Sequence, residues 1–201
     1  MDETSKPLLI IFYRNPKIGT VKTRLAATVG NEKALEIFRK LSLHIKEITE
    51  HLPCDKIVFY TDSIDLMDIW PNAKYLKALQ QGDGLGERMS NAFAGGFESG
   101  YNPICIIGTD CYELTREVIL QSFESLQSSD AVIGPARDGG YYLLGMKKLH
   151  AGIFTNKRWG TDTVLQDTIR EFELSRVQYV KLITLNDVDT EDDLPEALRD
   201  G

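Results

Sequence analysis

The chain is 201 residues long, with 23 Lys and Arg against 30 Asp and Glu, a formal net charge of −7 and a pI near 5.0. That length suits one domain able to bury a substantial core. The acidic balance argues against a nucleic-acid partner, because polyanion affinity rests on clustered Lys and Arg, but it is compatible with a small anion held by a few local cations.

The opening segment, Met1 to Lys6, is hydrophilic, and the apolar run after it is far shorter than a membrane span and lacks a signal-peptide cleavage pattern. The expectation is a cytoplasmic protein without membrane contact. Leu8 to Tyr13 predicts the first strand, and a loop with Pro16 and Gly19 follows. Asn31 to His51 carries Leu35, Phe38, Leu41, Ile45 and Ile48 at three-to-four spacing, the pattern of an amphipathic helix. Ile57 to Tyr60 reads as a strand with Asp62 placed to cap a short helix, and Lys74 to Leu79 as a weaker strand. Gly82, Gly84 and Gly86 mark a flexible turn before a helix over Glu87 to Phe97. The apolar run Ile104 to Thr109 predicts a buried parallel strand that ends at Asp110.

A helix over Arg116 to Leu126 leads to a strand over Ala131 to Gly134, and the turn Asp138-Gly139-Gly140 leads to another over Tyr141 to Met146. A helix near Thr163 to Phe172, a strand near Tyr179 to Leu185 and a terminal helix opening at Thr190 complete the chain. Strands alternating with helices predict an α/β fold, a Rossmann-like three-layer α/β/α arrangement. Strands either side of the Asp138 turn can pair antiparallel, so the sheet is expected to be mostly parallel but mixed. No repeat, low-complexity tract or linker divides residues 1–201, so a single domain is expected. Cys54, Cys105 and Cys111 have no CxxC spacing and are odd in number, which argues against a disulfide framework, and Cys105 reads as a small core residue. His44, His51 and His150 sit in no metal-ligand spacing and are expected at the surface or at helix ends.

Four constellations bear on chemistry. Arg14, Lys17, Lys22 and Arg24 place four cations in and just after the first loop. Such a loop suits a phosphate chain, but it serves equally as a solvated basic surface, and its spacing is neither a Walker A motif nor GxGxxG. Asp110 delivers a carboxylate to a strand's C-terminal edge, where open α/β sheets bind ligands, although a strand-end acid also caps helices. Around Asn186 to Asp193, Thr190 as N-cap with Asp193 three residues on explains the later acids. Asp187 and Asp189 add repulsion that a divalent cation relieves. The stretch from Gly134 to Tyr142 reads either as a hairpin turn or as an acceptor loop with a carboxylate and aromatic walls, and Trp159 reads as a partly buried lid.

With these residues in view the chain resembles the small bacterial transferases of the glycosyltransferase-A, or nucleotide-diphospho-sugar transferase, fold over nearly its whole length. The resemblance rests on Arg14, Pro16, Gly19 and Val21 to Leu25, Gly84 to Met89, Gly108 to Cys111, Gly134-Pro135 with Asp138 to Leu143, and Asp187 to Thr190 with Asp193-Leu194. It looks most like a subgroup of glycosyltransferases associated with radical-SAM and selenoprotein domains, and it is similar in layout to the nucleotidyltransferases that activate molybdopterin, phospholactate or sugar phosphates. One departure stands out: the family usually has Pro after the Asp-Cys pair, where this chain has Tyr112.

The resemblance implies a GT-A-like fold and a Mg²⁺- or Mn²⁺-dependent transferase that binds an NTP or an NDP-sugar and serves a small-molecule acceptor. It implies catalytic roles for Arg14, Lys22, Arg24 and Asp110, with Asp110 and Asp189 as metal ligands and Asp187 assisting. Gly19, Thr23, Gln81, Leu85, Gly86 and Thr109 join Arg14, Lys22 and Arg24 around the nucleotide, and Asp138, Gly139, Gly140 and Tyr141 hold the acceptor. The basic first loop slightly favours nucleotidyl transfer over glycosyl transfer, and a non-catalytic nucleotide-binding module is the alternative from another class.

Overall fold

Seven strands make one sheet in the order β3-β2-β1-β4-β6-β5-β7 in the computed structural model, which describes residues 6–199. The strands are β1 (Lys6–Tyr13), β2 (Asp55–Tyr60), β3 (Leu76–Leu79), β4 (Tyr101–Ile107), β5 (Ala131–Pro135), β6 (Tyr141–Met146) and β7 (Tyr179–Lys181). Only β6 runs against its neighbours, pairing antiparallel with both β4 and β5. The sheet is thus mostly parallel and mixed. The last strand is shorter than its apolar pattern suggests, because the chain leaves the ladder after Lys181 and returns only as a single bridge between Ala136 and Leu185.

Period-two alternation divides the strand residues between two helix layers. Leu9, Ile11, Val58, Cys105, Ile107 and Val132 face α2 (Asn31–Thr49) and α4 (Arg116–Ser128). Leu8, Ile10, Ile104, Ile106, Ala131 and Ile133 face α3 (Leu85–Glu98) and α5 (Val164–Leu174). Within α2, Phe38 and Ile45 pack on the sheet, while Ile37 and Leu41 turn to a third cluster with Leu25, Val188, Leu194 and Leu198. Leu25 belongs to α1 (Thr23–Val29), a helix of 7 residues that the sequence pattern does not announce.

Two further expectations are corrected. Asp62 caps no helix: the segment after β2 is irregular, and Asp62 instead pairs with Lys17 at 2.9 Å. The terminal helix is broken, with a 3₁₀ turn over Glu191–Asp193 and then α6 (Glu196–Arg199), because Pro195 interrupts it. Thr190 nonetheless makes the capping box with Asp193. Among the described residues no helix is long and apolar enough to cross a membrane.

Strand β6 is packed without slack. A Cβ added at Gly145 would stand 2.6 Å from Cys105 Sγ and 2.7 Å from Val132 Cγ1. Gly145→Ala is therefore expected to lower stability by about 1–3 kcal/mol in urea denaturation, the usual cost of overpacking. Adding Cys105→Ala should recover part of that loss.

Candidate active site

The sheet's order reverses at β1, whose chain leaves toward β2 while β4 leads to the other side, so their C-terminal ends part and open a crevice. A cleft of about 480 Å³ lies there, lined among others by Arg14, Thr109, Asp110, Tyr141, Trp159 and Asp187. Several chain segments converge on it. The end of β1 brings Arg14, the end of β4 brings Asp110, the hairpin between β5 and β6 brings Asp138, and the segment after β7 brings Asp187.

The four cations of the first loop do not all converge on the cleft. Lys17 is engaged by Asp62. Arg24 is 68% exposed, with Nη1 3.7 Å from Asp189 Oδ2. Lys22 is buried, its Nζ 2.6 Å from Asp110 Oδ1 and 3.2 Å from Asp189 Oδ1. Burial pulls its ammonium down, but Asp110 and Asp189 together outweigh that and hold it above the ordinary lysine value. Arg14 is the member of the set that lines the cleft. The loop itself is fixed by Asn15, which donates from Nδ2 to the Ser63 carbonyl and accepts from the Asp62 amide.

Of the other expected nucleotide residues, Thr109 and Leu85 line the cleft. Gly86 lies under the Trp159 ring, where an added Cβ would collide with the indole. Gly19 (φ +76°) and Thr23 are exposed and outside the lining. Gln81 is also outside it; its neighbour Gln80 is the lining residue, with Nε2 donating to the Phe59 carbonyl at 2.9 Å. On the acceptor side Asp138, Gly140 and Tyr141 line the cleft. Gly139 serves the turn: its φ is +88° and a Cβ there would run into the Asp162 backbone. Tyr141 meets Trp159 edge-on at 6.4 Å, and burial raises its hydroxyl above the usual tyrosine value. Tyr112 turns away from the cleft and packs against the His44 ring at 4.7 Å.

Sequence reasoning missed Asp83 and Arg88, which also line the cleft. Arg88 stood within a quoted motif, one helical turn after Gly84, and that spacing was the available signal; Asp83 carried none. Cys111 is buried and its thiol is pushed up by burial and then by Asp187, so it is not a poised nucleophile.

Among the described carboxyls, Asp187 is the one its surroundings hold clearly above the ordinary value. Burial first, then Asp110 and Asp138, raise its carboxyl to about 7, and its Oδ1 is buried with no hydrogen-bond partner. Among the described residues no group of three or more His, Cys, Asp or Glu side chains stands in a metal-holding arrangement. The donor chemistry still fits a hard divalent cation: Asp110, Asp187 and Asp189 offer carboxylate oxygens, and the Asp187 oxygen lacks the partner that burial demands.

Residues 44–161 match the family described as "Uncharacterized protein conserved in bacteria" (DUF2064). The chain belongs to that family. A candidate nucleotide-diphospho-sugar transferase from Desulfovibrio desulfuricans G20 is 31% identical, with 98% of this chain and 91% of that chain covered and a TM-score of 0.85. The fold also matches the inositol-1-phosphate CTP transferase of T. maritima (10% identity, 98% and 95% covered, TM-score 0.52). It matches Rv0371C of Mycobacterium tuberculosis H37Rv, solved with manganese (10% identity, 98% and 100% covered, TM-score 0.53). No curated protein matches the sequence.

A carboxyl raised by the fold makes the native state lose stability as pH climbs from about 4 to about 7, because the unfolded acid ionises first. In chelator-treated protein, Asp187→Asn should therefore raise the melting temperature most above pH 7, and the gain should shrink steadily toward pH 4. A gain independent of pH would contradict the electrostatic account.

Proposed function

We propose that this protein is a divalent-metal-dependent transferase of the nucleotide-diphospho-sugar type, which binds a nucleotide donor in the β1/β4 cleft and passes a group to a small acceptor. The observation that carries this is the cleft's charge pattern: Arg14 and Arg88 stand against Asp83, Asp110, Asp138 and Asp187. A polyphosphate is repelled by such a wall unless a divalent cation arrives with it, and Mg²⁺ or Mn²⁺ suits the available carboxylates. Bound there by Asp110 with Asp189 and Asp187, the metal would supply charge stabilisation for the departing phosphates. Arg14 would neutralise a phosphate from the cleft wall, and Arg24 would hold Asp189 in place.

Two reactions fit this description. In glycosyl transfer an acceptor hydroxyl oxygen bonds to the anomeric carbon and loses its proton while the nucleoside diphosphate departs. In nucleotidyl transfer an acceptor phosphate oxygen bonds to the α-phosphorus while pyrophosphate departs. The wall formed by Asp138, Tyr141, Tyr142, Trp159, Thr161 and Asp187 holds no Lys or Arg. A phosphorylated acceptor would add negative charge beside two acids, whereas a hydroxylated one can stack on the rings and donate to Asp138. This favours glycosyl transfer, as does the position of Arg14 as the one member of the first loop's four cations in the cleft lining. Nucleotidyl transfer is the second reading, kept by Arg14 and by the nearness of Lys22 to Asp110. The resemblance to glycosyltransferases associated with radical-SAM and selenoprotein domains accords with the first.

Melting curves taken with NTPs and nucleotide-sugars, with and without Mn²⁺, test the proposal, since a ligand specific to the native state stabilises it by about 2.7 kcal/mol at a hundred times its Kd. Metal-dependent stabilisation by a sugar nucleotide is expected; stabilisation by an NTP alone would shift the reading to nucleotidyl transfer. With the donor so identified, Asp110→Asn should lose turnover by at least about a hundredfold. Near-normal turnover would remove Asp110 from the metal site.

A further inference from the structure

Lys22 is held by more than its ion pairs. It is the N-cap of α1, and its backbone sits in the left-handed region at φ 49° and ψ 45°. A non-glycine residue seldom adopts that conformation, so the surroundings must enforce it. The side chain is 4% exposed and ends between Asp110 and Asp189, the two acids that the metal-dependent reading needs. A divalent cation held by both would compete with an ammonium already neutralising them. Asp187 stands beside them with a buried carboxyl oxygen that has no hydrogen-bond partner.

We infer that Lys22 is the resident counter-cation of this site, and that a divalent cation engages Asp110 and Asp189 only as the Lys22 ammonium is displaced from them toward the cleft. The inference rests on the metal-dependent reading given above and assigns Lys22 a part in it. Metal and anionic donor then bind with positive coupling: the metal releases a cation that the donor phosphates can take up, and the phosphates draw that cation away from the metal's ligands. Lys22 acts as a switch of charge between the bare and the loaded cleft, and the bare protein escapes the repulsion of unpaired acids.

The test uses Mn²⁺ alone, without nucleotide. Free Mn²⁺ followed by electron paramagnetic resonance should show that Lys22→Met binds the ion at least about tenfold more tightly than the wild type, since a competing charge at contact distance has been removed. Mn²⁺ should also raise the melting temperature of Lys22→Met more than that of the wild type. A second measurement needs no variant. Acetic anhydride labelling read by mass spectrometry should modify Lys22 slowly in chelator-treated wild-type protein and faster with saturating Mg²⁺, with exposed Lys17 as the reference. Equal or weaker Mn²⁺ binding by a folded Lys22→Met would overturn the inference and leave the metal reading standing. Should that variant fail to fold, labelling of Lys22 that Mg²⁺ leaves unchanged would overturn it instead. Absence of Mn²⁺ binding by wild type and variant alike would remove the metal reading and the inference together.

Discussion

The Val188 amide donates to the Asp110 carbonyl at 2.9 Å, and this bond clasps the C-terminal segment onto the end of β4. Without it, Asp187 and Asp189 would have no fixed relation to Asp110, which lies nearly eighty residues earlier. The clasp is held on both sides. Upstream, the Leu185 amide donates to Pro135 and the Arg137 amide to Leu185. Downstream, Val188, Leu194 and Leu198 fill the cluster built on Leu25, Ile37 and Leu41. Val188, buried between the two acids, thus anchors both of them within electrostatic reach of Asp110, Asp189 through the shared Lys22 ammonium.

Bringing Asp110 and Asp189 to one ammonium with Asp187 within electrostatic reach opposes folding, and the structure offsets this unequally. Asp110 and Asp189 share the Lys22 ammonium, and Arg24 stands near Asp189. Asp187 has no cation in contact, and its raised carboxyl records the imbalance. A fold selected only for stability would place an amide or an apolar side chain there. Retention of an ionisable group under such pressure is a common mark of a binding or catalytic site, whose charge is completed by its ligand.

The sheet was legible because its strands are written twice over, as apolar runs and as alternation that sorts Leu8 from Leu9 and Ile104 from Cys105 onto opposite layers. The antiparallel hairpin was legible from the Asp138-Gly139-Gly140 turn. Helix α1 was not, because its start depends on Lys22 in a left-handed conformation, which no propensity scale predicts for lysine. Asp62 read as a helix cap because its chemistry fits one; its use as a partner for Lys17 depends on a loop 45 residues away. The same limit applied at the site. Asp110 and the Asp187 to Asp189 stretch carried local signals, whereas the position of Gln80 in the cleft lining, and of Trp159 over Gly86, follows from the strand's register and the packing of α3.

The reversed strand β6 explains why strand residues as well as loops line the cleft on the side of Asp138. In a sheet of parallel strands, each strand's amino end lies at the edge remote from the ligand, and only loops reach the crevice. Because β6 runs antiparallel between β4 and β5, with Leu143 opposite Ile107, its amino end rises at the same edge as Asp110. The tight turn from β5 then needs only Ala136 to Gly140, closed by bonds between Ala136 and Gly140 and between the Gly140 amide and Asp138. Tyr141 and Tyr142 therefore belong to a rigid ladder and not to a mobile loop. Tyr142 is further fixed by its hydroxyl, which donates to the Ile183 carbonyl at 2.9 Å. Side chains placed on strands hold their geometry better than those on loops. The wall built on β6 is accordingly the stiff part of the cleft, whereas Arg14 and Lys22 stand on the irregular segment between β1 and α1.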